Sequence, residues 1–133
     1  MTFDPRSIGT PVYAALSSLK SQTRSDDTTR LKQQKSQAVE IYTYLSTWGM
    51  MRFKAEEQAL GKDMEGKKQV VKKFFECLEH LSQRKNLAND DGLTTLKDLD
   101  VSDYLGLTGL GLAIAQEFSF WATAVYYDVS GED

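Results

Sequence analysis

Apolar residues recur along this chain at three- and four-residue intervals, the period of one face of an α-helix. Val12, Ala15, Leu16 and Leu19 make the first stripe, over residues 11–20. Thr10 suits its N-cap, and Pro11 suits the first helical position, where a missing N–H costs nothing. A polar link at 21–27 leads to a second pattern over 28–60. There Leu31, Ala38, Ile41, Tyr42, Leu45, Gly49 and Phe53 share a face at 100° per residue, with Trp48 on its flank. Lys32 and Lys54 fall on the opposite side. Arg52 falls inside the apolar stripe. Either Gly49 breaks the helix and resets its phase, or Arg52 snorkels, or it reaches a specific partner.

Gly61 and Gly66 bracket a turn before a third helix at 67–85, with Val70, Phe74, Cys77, Leu78 and Leu81 as its core stripe. Lys68 and Lys72 point away from that stripe, beside Glu76 and Glu79. A connector at 86–100 holds the turn signal Asn89-Asp90-Asp91-Gly92 and a short helical piece marked by Leu93, Leu96 and Leu99. The last helix is predicted from about Ser102, as N-cap, to about Asp128. Leu107, Leu110, Ile114, Phe118, Trp121 and Val125 give it a coiled-coil-like seam. It is apolar almost all round, which predicts a central or shared helix. Gly106, Gly109 and Gly111 lower its helix propensity and offer places for close helix approach.

No strand-like alternation appears, and the only prolines are Pro5 and Pro11. The fold expected is all-α, a single bundle of about four to six helices with a long, largely buried C-terminal helix. One domain covers 1–133, with 1–10 as a loose lead and 129–133 as a loose tail. Residues 104–127 carry only one charge, Glu117, and are long enough to span a bilayer. Gln116, Glu117, two Thr and a Ser interrupt them, and no Lys or Arg follows, so a helix buried in a soluble core is expected instead. Met1-Thr2-Phe3-Asp4 has no basic and apolar leader pattern, and a cytoplasmic location is expected.

Composition supports one core: 133 residues are 41% hydrophobic, enough to exclude wholesale disorder. A single Cys excludes an internal disulfide, and one Cys with one His excludes a His/Cys zinc cage within the chain. The net charge of -3 hides an uneven distribution. Residues 1–97 hold all 16 basic residues and 12 acids, a balance of +4. Residues 98–133 hold seven acids and no Lys or Arg, a balance of -7. Because screening confines charge effects to about 8 Å at physiological salt, a basic region can still meet phosphates. This order predicts a molecule with a basic side and an acidic end kept apart from it. The structural alternative is a lysine-rich solvated helix surface.

Catalytic signatures are missing. Gly106-Leu107-Thr108-Gly109-Leu110-Gly111 lacks the Lys and Ser/Thr of a phosphate loop, and no strand precedes it. Cys77 and His80 stand three apart on one helix, but Cys77 lies on the core stripe, as an inert buried thiol would. Glu76 and Glu79 lack the Glu-x-x-His spacing of a carboxylate-bridged helical metal site. The reading is a non-enzymatic helical binding module, with no cofactor and no metal expected.

Asp103-Tyr104-Leu105-Gly106-Leu107-Thr108, continuing through Leu112-Ala113-Ile114-Ala115 to Phe118 and Trp121, resembles the terminal helix of the small-subunit family of CRISPR effector complexes (Cascade/Cmr-like). Tyr44-Leu45 through Trp48-Gly49-Met50 and Phe53-Lys54-Ala55 resembles that family's second-helix segment, and Tyr13-Ala14-Ala15 fits its short opening helix. About 35 residues match in kind, and the rest only in element order. The resemblance implies a helical bundle without enzymatic activity, stacked in several copies with backbone and large subunits around guide RNA, in antiviral defence. It implies a basic face that holds nucleic-acid backbone without reading bases. The strand is target RNA in type III systems, and the guide–target duplex or displaced DNA in type I. The residues placed on that face are Lys20, Arg24, Arg30, Lys32, Lys35, Arg52, Lys54, Lys67, Lys68 and Lys72. The last helix departs from such a role, having no basic residue, and is assigned to the core and to subunit contact. A helical protein–protein adaptor that dimerises through that helix is the alternative.

Overall fold

A computed structural model of the chain describes residues 6–130, and among these there are helices and no strand. In chain order they are α1 (Arg6–Gln22), α2 (Thr28–Trp48), α3 (Met50–Ala59), a short 3-10 turn (Lys62–Met64), α4 (Glu65–Ser82), α5 (Gly92–Asp98) and α6 (Val101–Val125). The expected bundle, with a long and largely buried last helix, is what forms. The expected leads at 1–5 and 131–133 lie outside the described residues.

α6 is the central element. Its Leu107, Gly111, Ile114, Ala115, Phe118, Ala122 and Val125 are buried, and it packs against α1, α2 and α4. Phe118 reaches Phe74 of α4 with ring centroids 5.9 Å apart. Phe74 in turn meets Phe75 and Phe53 edge-on at 5.1 and 5.4 Å. Such pairs contribute about 0.5–1.5 kcal/mol each beyond their buried area.

Several boundaries differ from the periodicity reading, each for a local reason. α1 starts at Arg6, with Pro11 inside it and Thr10 exposed rather than capping. Ile8 is buried at 4% exposure and extends the Val12–Leu16–Leu19 stripe by one turn, while Gly9 packs against Glu117 and Trp121 of α6. That tertiary contact supports the turn before the proline, so residues 6–10 are helix and not a loose lead.

The single helix expected at 28–60 is two. Gly49 stands at φ 88° and ψ 170°, a conformation essentially reserved for glycine, and its N–H still reaches the Leu45 carbonyl at 2.9 Å. The chain leaves α2 there and re-enters helix at Met50. The N-cap of α2 is Asp27, whose side chain accepts from the Arg30 N–H at 3.2 Å.

α4 ends at Ser82 rather than Lys85, where Gln83 adopts the left-handed conformation at φ 60°. Its N-terminus is seated on α2: Gln33 accepts from the Gly66 N–H at 2.9 Å and donates to the Asp63 carbonyl at 2.6 Å. The N-cap of α6 is Asp100, not Ser102. The Asp100 carboxylate accepts from the Asp103 N–H at 2.8 Å, in an extended residue directly before the helix.

α2 also buries three glutamines at positions the hydrophobic pattern skipped. Gln34 is fully buried. It accepts from the Tyr126 hydroxyl at 2.8 Å and donates to Thr23 at 2.9 Å and Gln69 at 2.8 Å. Burying a primary amide is tolerated because its donors and acceptor are all met. Burial also holds the Tyr126 phenol well above its ordinary range.

Candidate nucleic-acid interface

The ten cations grouped on one basic face by sequence are dispersed by the fold. Lys54 is corrected outright: it is 5% exposed. Its ammonium donates to Glu57 at 2.8 Å and to the Ala88 carbonyl at 3.1 Å, and it stands 4.9 Å from the centroid of the Phe75 ring. It is a strut between α3 and the loop after α4, closed to an outside phosphate. The helix break at Gly49 is the cause, because it re-phases α3 and turns Lys54 inward.

The same break turns Arg52 outward. It lies exposed, with its guanidinium 4.9 Å from the centroid of the exposed Trp48 ring. Of the alternatives for this residue, the phase reset is the one realised. Arg24 pairs with Asp26 at 2.8 Å and Arg30 with Asp27 at 3.7 Å, so both spend charge on neighbouring aspartates.

Lys67, Lys68 and Lys72 lie in the first two turns of α4 and make no hydrogen bond or ion pair with another described residue. Lys68 and Lys72 are one turn apart on the same side. Lys67 projects about 100° away from Lys68. The helix dipole is positive at this end, so these cations gain nothing from their own helix.

Lys20 and Lys32 share one groove, and Lys35 bonds to its edge. A groove of about 640 Å³ opens between the C-terminal end of α1, the N-terminal end of α2 and the residues that follow α6. Lys20 and Lys32 line it, together with the hydroxyls of Ser17, Ser21, Thr23, Ser25 and Thr28 and with Tyr13, Tyr127 and Asp128. The Lys20 ammonium donates to Asp128 at 2.6 Å and to the Val125 carbonyl at 2.9 Å. It also stands 5.1 Å from the centroid of the Tyr127 ring. Lys35 donates to the Val129 carbonyl at 2.7 Å. The hydrogen bond from Lys20 holds the Asp128 carboxyl below its ordinary range, partly offset by desolvation, and the charges of Lys20 and Lys35 act in the same downward direction. Among the described lining residues two lysines stand against one carboxylate, and Lys35 bonds to the groove's Val129 edge.

This arrangement contradicts the charge separation read from the sequence. The acidic C-terminal segment does not stand apart from the basic part. Asp128 sits on Lys20, and Asp103 sits 3.6 Å from Arg84. The residues near both ends of α6 thus meet basic residues from other parts of the chain, Arg84 after α4 and Lys20 of α1.

Periodicity missed the two tyrosines of the groove. Tyr13 is 48% exposed and Tyr127 is 78% exposed. Tyr13 carried a usable signal, an aromatic off the apolar stripe of its helix. Tyr127 carried none, since its neighbour Tyr126, also beyond the last turn of α6, is fully buried.

Elsewhere the chemistry is sparse. Cys77 is buried, and burial pushes its thiol up to about 11. Among the described residues no group of three or more His, Cys, Asp or Glu is placed to hold a metal ion, and no helix is long and apolar enough to cross a membrane. No protein-family model, no curated protein and no solved structure matches this chain.

Proposed function

We propose that this chain is a non-catalytic helical subunit that holds nucleic-acid backbone within a larger ribonucleoprotein assembly, as the small subunits of CRISPR effector complexes do. The observation that carries the reading is the groove lined by Lys20 and Lys32, with Lys35 bonded to its Val129 edge and two exposed tyrosines on its walls. A positive groove with aromatic platforms is the common design for single-stranded nucleic acid without sequence preference. Lys67, Lys68 and Lys72 of α4, which pair with no acid among the described residues, supply a second place for phosphate contact. Its partners under this reading are guide RNA with its target, backbone and large subunits, and further copies of itself, and its place is the cytoplasm.

The test is recovery of the tagged chain from its native cells under gentle conditions. Co-purification of a guide RNA with partner subunits is expected, as is binding of single strands by that assembly with a negative salt slope. Each phosphate contact contributes roughly 0.7 to the slope of log affinity against log salt for a single strand. Recovery of a bare chain that ignores nucleic acid at low salt overturns the reading.

The adaptor reading has one observation in its favour. Val101, Leu105 and Phe120 of α6 are 76%, 63% and 61% exposed, and Trp48 and Met51 are exposed as well. It predicts a stable homodimer free of nucleic acid, and light scattering showing a monomer at micromolar concentration counts against it.

A further inference from the structure

We infer that the groove between α1, α2 and the end of α6 selects single-stranded over duplex nucleic acid, by stacking an unpaired base on Tyr127 while Lys20 and Lys32 hold the adjoining phosphate. The inference rests on the function proposed above and assigns that site its class of strand.

The Tyr127 ring is 78% exposed. Leaving an aromatic ring in water forgoes the gain from burying it. The Lys20 ammonium stands over it, 5.1 Å from the centroid, and so occupies one face. At that exposure most of the residue's surface remains in water. A cation on one side of a π system leaves the opposite side suited to a flat ring, and every nucleobase has a π face to offer.

Tyr13 lines the same groove, and its ring is held at 62° to Trp121 with centroids 5.2 Å apart. That contact fixes the position of Tyr13 before any ligand arrives, which lowers the ordering cost of binding.

The cations are placed to match. An ammonium has three donors, and Lys20 uses two of them, on Asp128 and on the Val125 carbonyl. Lys32 makes no hydrogen bond or ion pair with another described residue. One donor of Lys20 and all of Lys32 are therefore available to phosphate oxygens. The volume of about 640 Å³ lies within the roughly 300–1,000 Å³ of ordinary ligand sites. A duplex keeps its bases stacked inside and presents only its backbone, so it engages the lysines but not Tyr127. A single strand engages both.

The test uses the full chain and a dye-labelled oligonucleotide of about ten residues, single-stranded or annealed to its complement, in fluorescence anisotropy at low salt. Tyr127→Ala, Tyr127→Phe and Lys32→Gln are compared with the parent chain, with circular dichroism to verify folding. Tyr127 is exposed, so its substitution leaves the core untouched. The expected result is tighter binding of the single strand than of the duplex. Tyr127→Ala should weaken the single strand about five- to a hundredfold and the duplex hardly at all, and Tyr127→Phe should keep the preference. Lys32→Gln should weaken both and flatten the salt slope. If Tyr127→Ala matches the parent while Lys32→Gln still weakens binding, the stacking inference is overturned and backbone binding survives. If the folded chain binds neither form at low salt, both fall.

Discussion

The Lys20 ammonium and the Asp128 carboxylate meet at 2.6 Å across 108 positions of sequence. The contact joins the last turn of α1 to the segment beyond α6. Both partners reach solvent, with side-chain exposures of 23% and 54%, so the pair contributes little to stability. Its consequence is electrostatic. Asp128 is an internal anion on Lys20, and under the proposed function it competes with a strand's phosphate for that ammonium.

Asp128→Asn is therefore expected to strengthen single-strand binding several-fold at low salt, with an unchanged melting temperature. Anisotropy titrations and a thermal melt measure the two effects, and weaker binding by this variant would show that the carboxylate orders Lys20 rather than competing for it. The pH dependence follows in sign. The folded state favours the carboxylate, so its contribution is present above the ordinary value of 3.8 and is lost as pH falls through the lowered value. A carbon-detected titration of Asp128 should show a midpoint below 3.8 in the parent chain, returning toward that value in Lys20→Gln.

The glycines divide by environment, and substitution to Ala should divide them by sign. A Cβ on Gly66 would lie 2.6 Å from the Arg30 carbonyl oxygen and 2.7 Å from the Gln33 Cβ, neither of which is a flexible end. Gly66→Ala should cost about 1–3 kcal/mol by forcing α4 off α2. Gly49→Ala meets no atom but must hold φ 88°, at a cost of the same order. Gly106 and Gly109 face open space on α6, and each change to Ala should stabilise by up to about 1 kcal/mol. Urea midpoints decide. Of the three α6 glycines, Gly111 alone serves close packing, against Met50, Phe74 and Leu45.

Lys54 and Glu57 are 6% and 15% exposed in their side chains. Glu57→Gln removes the anion and leaves a buried ammonium with one carbonyl and one ring. The expected loss is about 3–5 kcal/mol. The pair Lys54→Met with Glu57→Leu should recover most of it, because no unpaired charge then remains. A double variant as unstable as Glu57→Gln would mean that the bond to the Ala88 carbonyl, not the ion pair, holds this loop.

Cys77 should be inert in the native state. Its thiol, pushed up to about 11, stays protonated at pH 8, and only the thiolate reacts. Alkylation by iodoacetamide at pH 8 should be slow in buffer and complete in denaturant. The linked stability effect is lost as pH rises from 9.0 toward 11, since the folded state there binds the proton more tightly than the unfolded one. Rapid native labelling would show that the α1–α4 seam opens.

The helical class, the stripes of α1, α4 and α6, and the central place of α6 were legible in the sequence because helix periodicity is local. Val70, Phe74, Cys77 and Leu78 are buried at the spacing that marked them. The break at Gly49 was legible only as one of several alternatives. A lone glycine costs a helix about 1 kcal/mol, so surrounding packing decides whether the chain runs on or turns.

The sequence by itself determined which residues are basic and in what order the charges come. Tertiary structure alone decided which charges are neighbours. Lys54 went inward when Gly49 reset the phase of α3, and Lys20 and Lys32 came to line one groove when the end of α6 returned to the start of α2. The polarity implied by the charge order vanished in the same step, since Asp128 lands on the lysines. The physical reason is reach. A side chain's electrostatic surroundings extend about 8 Å in physiological salt, and within that distance the packed bundle brings together residues more than a hundred positions apart.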